Sequence, residues 1–559
     1  MPRQSTKHVN HTFGGGWATD YGSTYYKSPE GDQIHLPWLN TLENAEWTSD
    51  GGLKKWEGAL TDFTTPYKCP VTGSTVVRNI FYYVKTVTAT DPIGYQVAVV
   101  GNSLFTNTGF APVLIGSDRA GNYAGYGREH GYSHLSTFND LLIWCSTNSD
   151  PYSWDQTTFQ ALAGSPARFQ MSVAHKGRHW GAGVVTNPSR LYYSVVGNPE
   201  DWSGAGSGSI DIDPGDGDSI TGLYSWKGEL FVFKGPEKLS IHRITGSTPS
   251  DFARTPFVYG VSAANQNCIF EYGNDIGFWG PHGSCHSLEA TSSFGDYNKA
   301  LINYPILSWC MNYRNVDPGY LDKWQAITNP DENYTIFNFV NHVGLAQRDN
   351  VSNTCIVMDW RFVGQGEPYP RFSRLTYRDY CSVGIIRENQ WQTCFGTWDG
   401  GIQKKQRNAV PHSASYAYTY DRAYNDLKSI PFRLETPHLT YGPDIETKTV
   451  SGLSLSLETN HRSTVTVKWG GSLQPKQSVS LTQPGYTPIG TFVIGTDLVG
   501  YLGKLPVFTH ELSGDFVSVQ YDIIENTAYE STSDNSSNGL AFNKFGVTIT
   551  PTGESTENL

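Results

Sequence analysis

Charge is scarce in this sequence. Asp, Glu, Lys and Arg together make up 16% of its 559 residues, against about 25% in an ordinary globular chain. The formal net charge is −12, with 40 Lys and Arg against 52 Asp and Glu. That balance argues against a phosphate-neutralising surface spread over the whole molecule, although a local basic patch stays open. No hydrophobic run approaches the ~20 residues that cross a bilayer, so no membrane-spanning segment is expected. Residues 1–25 are polar and Gly-rich with no apolar leader, and the chain is expected to be made and kept in a cytosol. Its eight cysteines scatter without a Cys-x-x-Cys pair, and reduced thiols are expected rather than a disulfide framework.

What is abundant is aromatic and small. Tyr, Phe and Trp make up 13% of the chain, and there are 58 glycines. This mixture suits pleated strands and tight turns far better than helices, so the fold class is all-β. Three segments share one pattern, a strand, a pair of turn residues and a second strand: 137–144 around Asn139-Asp140, 225–233 around Lys227-Gly228, and 271–279 around Gly273-Asn274. Each reads as a β-hairpin. Weaker copies at 175–178, 329–337 and 388–391 leave the turns roughly 40 to 60 residues apart, the length of a four-stranded propeller blade. With the strand-rich stretch 75–105, a β-propeller of six or seven blades is expected.

Four segments follow from this pattern. Residues 1–30 are expected to be an N-terminal arm that orders on a neighbouring subunit or not at all, 31–406 the propeller, 407–429 a connector, and 430–559 a smaller antiparallel β-sandwich. The last carries period-2 strands at 453–457, 464–469 and 516–521, alternating as a sheet with one wet face does.

Chemistry is harder to find. The acidic run Asp211, Asp213, Asp216 and Asp218 fails the calcium-loop pattern, because Gly215 stands where the third ligand should be and Gly222 where a bidentate Glu is required. His282, Cys285 and His286, like His175 and His179, do not complete a zinc set at known spacings. The repeated Ser-x-Asp-x-Gly-x-x-Trp boxes of sialidase propellers are absent, and no nucleophile elbow, phosphate-binding loop or dinucleotide fingerprint occurs. No catalytic, cofactor-binding or metal residue is assigned, no cofactor is expected, and the chain is expected not to be an enzyme.

One run is more specific. Asn187-Pro188-Ser189-Arg190-Leu191-Tyr192-Tyr193-Ser194, then Gly197-Asn198-Pro199-Glu200-Asp201-Trp202, continues through 210–212 and 215–223 to Lys227-Gly228-Glu229-Leu230-Phe231-Val232-Phe233. Asn198-Pro199 starts a turn, Asp201 can accept its free amides, and Trp202 then covers the hairpin as an apolar plug. This run resembles the propeller module of bacteriophage tail proteins, the nozzle or DNA-stabilisation proteins of short-tailed phages. Residues 36–58 and 515–549 are similar to their opening and closing segments.

The resemblance implies a structural virion protein of the tail, assembled in the host bacterial cytoplasm. It implies a homohexameric ring beneath portal and adaptor, through which packaged double-stranded DNA passes without tight binding, retained until ejection. A receptor-binding propeller that recognises host surface glycans and a propeller glycosidase remain as alternatives.

Overall fold

The computed structural model describes the chain from residue 7 to residue 551, apart from the segments 26–32, 118–132, 291–299, 341–352, 406–430, 484–507 and 526–540 and a few shorter stretches. The expected connector, 407–429, lies outside the described residues. The chain forms two compact units, one of residues 59–356 and 378–405, the other of 1–58, 357–377 and 406–559.

The first unit is the propeller, and among the described residues it has seven blades. Blade 1 consists of Val77–Thr88, Asp91–Val100, Ser103–Thr108 and Ala111–Ser117. Blade 2 is Ser133–Phe138, Leu141–Ser146, Tyr152–Trp154 and Phe159–Ala161. Blade 3 is Met171–His175, Arg178–Ala182, Arg190–Tyr193 and Gly208–Asp211. Blade 4 is Ser219–Trp226, Glu229–Gly235, Ser240–Thr245 and Ala253–Tyr259. Blade 5 has three strands, Ile269–Tyr272, Asp275–Trp279 and Cys285–Ser287. Blade 6 opens with Gln325–Asn329 and Tyr334–Phe339. Blade 7 is Ser382–Arg387, Trp391–Gly396 and Ile402–Lys405, and its fourth strand comes from far upstream, Ala59–Thr61. Ring closure therefore joins the two ends of the propeller sequence through backbone hydrogen bonds. The first strands of successive blades line up around the ring, and the first strand of blade 7 packs on that of blade 1.

The aromatic richness has a use here, because a blade is covered on both faces. Tyr83, Val97 and Leu104 of blade 1 meet Leu135, Trp144 and Trp154 of blade 2. Trp180, Leu191 and Tyr193 of blade 3 meet Leu223, Val232 and Ile244 of blade 4. The turns read from the sequence are left-handed: Asn139 and Asp140 have φ of 48° and 60°, Lys227 and Gly228 of 47° and 78°. Two consecutive positive φ values match the twist of a two-residue hairpin, and Gly228 takes its value without strain.

The second unit departs from the expected boundaries. Residues 1–30 are not merely an arm: Lys7–Phe13 is an interior strand, parallel to Gln33–Leu36 and antiparallel to Ala541–Pro551, with Val9 opposite Val547. The glycines that suggested a loose tether are there for close approach, since a Cβ on Gly15 would stand 1.6 Å from Pro37 O and one on Gly16 2.3 Å from Phe372 N. Residues 31–58, expected in the propeller, also belong to this unit, as the strands Gln33–Leu36, Thr41–Glu43, Ala45–Trp47 and Leu53–Lys55.

One sheet runs Gln33–Leu36, Lys7–Phe13, Ala541–Pro551, Lys448–Glu458, Phe508–Glu511. The other runs Arg371–Leu375, Thr41–Glu43, Phe432–Glu435, Gln520–Glu525, Ser463–Gly470, Gln477–Gln483. The strand expected at 516–521 is two: Phe516 pairs with Lys448 in the first sheet and Gln520 with Gly470 in the second. Its period-2 pattern was real, but the chain changes sheet in the middle of it.

Candidate functional site

The sequence-derived motif folds as a capped turn. Asn198 Oδ1 accepts from Glu200 N at 3.0 Å, and Asp201 Oδ1 accepts from Ser203 N at 3.2 Å and Gly204 N at 2.8 Å. Trp202 Nε1 donates to Pro199 O at 2.7 Å. The Trp202 ring lies in the seam between blades 2 and 3, among Phe138, Ile143, Cys145, Leu162, Phe169 and Val184. Lys227 and Gly228 belong to another blade, where Lys227 Nζ lies 4.1 Å above the Trp226 ring and 3.1 Å from Glu289. The six motif residues thus belong to two turns, one of which carries Trp202 into the core.

The acidic loop is neutralised from within. Asp211 receives Nε and Nη2 of Arg190 at 2.6 and 3.0 Å, and this hydrogen bonding lowers its pKa. Asp213 is paired with Arg254. Asp216 takes Lys234 Nζ at 2.7 Å; burial works against its charge, but this lysine wins and the pKa is lowered. Asp218 accepts the amides of Glu237, Lys238 and Leu239 at 2.8 to 3.1 Å. Each carboxylate already has a protein partner, and no group of three or more metal-ligating side chains forms among the described residues.

Beside this loop a serine, a histidine and an aspartate meet. Ser240 Oγ is 3.0 Å and Asp213 Oδ2 3.5 Å from the same atom, His242 Nε2. A proton relay needs the two partners on opposite ring nitrogens. Ser240 is also buried, so this arrangement does not make a nucleophile.

The axis of the propeller carries the residues that sequence reading missed. Gln266 Oε1 accepts from Leu223 N at 2.6 Å while its Nε2 donates to Leu223 O at 2.8 Å, so one amide side chain ties blade 4 to the short helix Gln266–Cys268. Gln325 links three blades: Nε2 donates to Arg78 O at 2.6 Å and Oε1 accepts from Val383 N at 3.0 Å. Asn79 Nδ2 and Asn267 Nδ2 both donate to Ser133 O, at 2.9 and 3.1 Å. Asn267 Oδ1 also stands 3.3 Å from His134 Nδ1, and His134 Nε2 donates to Ser172 O at 3.0 Å. Asn267 precedes blade 5 and Ser133 begins blade 2, which are not neighbours in a ring of seven. The side chain of Asn267 therefore crosses the ring, and the axis is closed there by neutral amide and imidazole groups. On the innermost strands of the described blades there is one carboxylate, Glu271, whose Oε1 lies 3.4 Å from the Tyr224 hydroxyl.

Buried histidines make blade 3 sensitive to acid. His179 is fully buried, 5.6 Å from the Trp202 ring and 6.0 Å from Phe138, and neither of its nitrogens meets a partner among the described residues. Burial, with His134 adding to it, pushes its pKa down to about 3, while burial and Lys176 push His175 down to about 4. Both are neutral when folded but take up a proton near pH 6.5 when unfolded. Their contribution is fully present above about pH 6.5 and is lost as pH falls toward 4 and then 3, by about 2 kcal/mol per histidine at about pH 5. Urea midpoints at neutral pH and at about pH 5 should differ accordingly, and His179→Phe should reduce the difference. Equal midpoints in the unaltered chain would contradict this assignment.

No protein-family model and no curated protein matches the chain. Among solved structures it is similar to the extracellular domain of a hybrid two component system from B. thetaiotaomicron, at 12% identity and TM-score 0.35, covering 64% of this chain and 40% of that one. It thus spans less than half the length of that protein. An exo-beta-1,3-galactanase from Phanerochaete chrysosporium matches at 10% identity and TM-score 0.27, covering 88% of this chain and 100% of that one. The WD40 domain of SCAP from fission yeast matches at 9% and 0.28, covering 66% and 93%. A glycoside hydrolase family 43 arabinoxylan arabinofuranohydrolase from Bacillus subtilis is also similar, at 10% and 0.23, covering 91% and 92%. Likeness at this level carries no argument about substrate or partner. It does correct one expectation, that the chain is not an enzyme: glycoside hydrolases are among the structures similar to it, so this architecture gives no ground for excluding catalysis.

Proposed function

We propose that the chain is a structural component of a bacteriophage tail, of nozzle or hub type, with several copies forming a ring around the DNA channel. The resemblance of residues 187–233 to tail propellers supports this reading. The observation that carries it is the bridged axis: Asn267 reaches across the ring to Ser133 and His134, where a DNA strand threading the propeller itself would have to pass. In such a ring the DNA path lies between copies, never along the propeller's own axis.

A channel wall that lets a polyanion slide must not hold it, and the surplus of acidic over basic residues suits weak contact. The purified protein is therefore expected not to bind duplex DNA appreciably at physiological salt. Submicromolar, strongly salt-dependent binding in an anisotropy titration would count against this reading. Cryo-EM of assembled particles tests the ring itself, and a chain found as single copies on peripheral fibres would overturn it.

A second reading, a propeller glycosidase, is favoured by Glu271 beside Tyr224 at 3.4 Å on the innermost strands. Release of reducing sugar from a polysaccharide panel, abolished by Glu271→Gln, would establish that reading over the first.

A further inference from the structure

Lys234 lies on the second strand of blade 4, and its side chain is fully enclosed. Lysine is almost never buried unless paired, because a charge taken out of water is costly without hydrogen bonds to replace the solvent. An ammonium group has three N–H donors. Here all three go to oxygens of a single loop: Ile212 O at 2.7 Å, Asp213 O at 3.0 Å and Asp216 Oδ2 at 2.7 Å.

That loop, residues 212–218, links the last strand of blade 3 to the first strand of blade 4. Two backbone carbonyls and a carboxylate converging on one point are the kind of oxygen donors that hold a hard cation. The backbone bends to bring them together: Asp213 and Gly215 have φ of 40° and 85°, and Asp216 Oδ1 accepts from Asp218 N at 3.0 Å. The other two carboxylates are engaged elsewhere. Asp213 pairs with Arg254 and stands 3.5 Å from His242 Nε2, while Asp218 accepts the amides of residues 237–239.

We infer that Lys234 serves as the bound cation of this loop, an ammonium ion delivered by the neighbouring strand to a site made of Ile212 O, Asp213 O and Asp216 Oδ2, and that the site takes a free alkylammonium ion once the lysine side chain is removed. The charge that orders the link between blades 3 and 4 is thus carried by the chain itself. The inference does not depend on the tail reading.

Lys234→Ala deletes Cγ, Cδ, Cε and Nζ, the heavy atoms of a propylammonium ion, and so makes the room that the ion needs. The full-length variant is refolded from urea in propylammonium chloride, in sodium chloride at the same ionic strength, and in 1-propanol. Refolding lets the ion enter before the loop closes. The folded fraction and Tm are read against the unaltered protein treated alike. Lys234→Ala loses stability, and propylammonium restores it, moving the folding equilibrium about tenfold at about ten times the dissociation constant. The unaltered protein, whose site is filled, shows no such shift. Lys234→Met keeps the stem without the charge, leaves Asp216 unpaired and stays destabilised in all three solutions. Either variant folding as stably as the unaltered protein overturns the inference. So does a Lys234→Ala protein that responds equally to the three solutions, that sodium restores as well as propylammonium does, or that propylammonium fails to recover at all.

Discussion

Replacing Trp202 with alanine is expected to cost about 3 to 5 kcal/mol of folding stability, the range for truncating a large buried aromatic. The ring is 7% exposed and fills the seam between blades 2 and 3, 5.2 Å from Phe169 and 5.6 Å from His179. Its indole nitrogen is held by Pro199 O, so the turn that carries it and the core that receives it fail together. The hole left by alanine would border a histidine whose nitrogens meet no partner among the described residues, a poor place for the core to collapse. Trp202→Phe keeps most of the volume and should lose distinctly less. The measurement is the urea midpoint of soluble protein, with solubility itself as a coarse readout. A Trp202→Ala protein of undiminished stability that had lost only ligand binding would show the ring to be a contact platform, and would revive the glycan-receptor alternative.

A comparable loss, about 3 to 5 kcal/mol, is expected for Glu525→Gln, by removal of one half of a buried ion pair. Glu525 is fully buried, and its Oε2 lies 2.5 Å from Nζ of Lys55, itself nearly enclosed. The glutamine leaves an ammonium group with no counter-charge in a low-dielectric core. Lys55 ends a strand near the start of the chain and Glu525 ends a strand near its finish. The pair therefore helps select how the two ends of the sequence meet. Lys55→Met with Glu525→Leu should recover most of the loss, because two apolar side chains carry no desolvation penalty, and the cycle would show strong non-additivity. A Glu525→Gln cost well under about 1 kcal/mol would mean that water reaches the pair.

These sites differ in how visible they are in sequence. The turns at Asn139-Asp140 and Lys227-Gly228 were legible because their signal is local: two residues that tolerate positive φ between two apolar runs. The cap formed by Asn198 and Asp201 was legible for the same reason. Lys7–Phe13 was not, since seven mostly polar residues beside three glycines resemble a tether, and their partner strand, Ala541–Pro551, lies at the other end of the chain. Nor was the break at 516–521, where alternation continues while the chain passes from one sheet to the other. Arg178 sits in an ordinary strand sequence, and only the structure shows that its buried Nε, unlike that of Arg190 twelve residues on, meets no acceptor among the described residues.

By itself the sequence determined the class of fold, because low charge, many aromatics and paired turn residues leave few ways to bury apolar surface other than stacked antiparallel sheets. It determined where most blades turn, since a two-residue hairpin depends on the backbone freedom of its own residues. Only the tertiary structure decided that the described residues form seven blades, that Ala59–Thr61 closes the ring, and that Asn267 bridges its axis. Those contacts join residues far apart in the chain, and their free energy comes from burial and hydrogen bonds that do not exist until the ring has formed. The neutralisation of the acidic loop was decided in the same way: four aspartates within eight residues look like a cation site until Arg190, Arg254, Lys234 and the amides of 237–239 are folded against them.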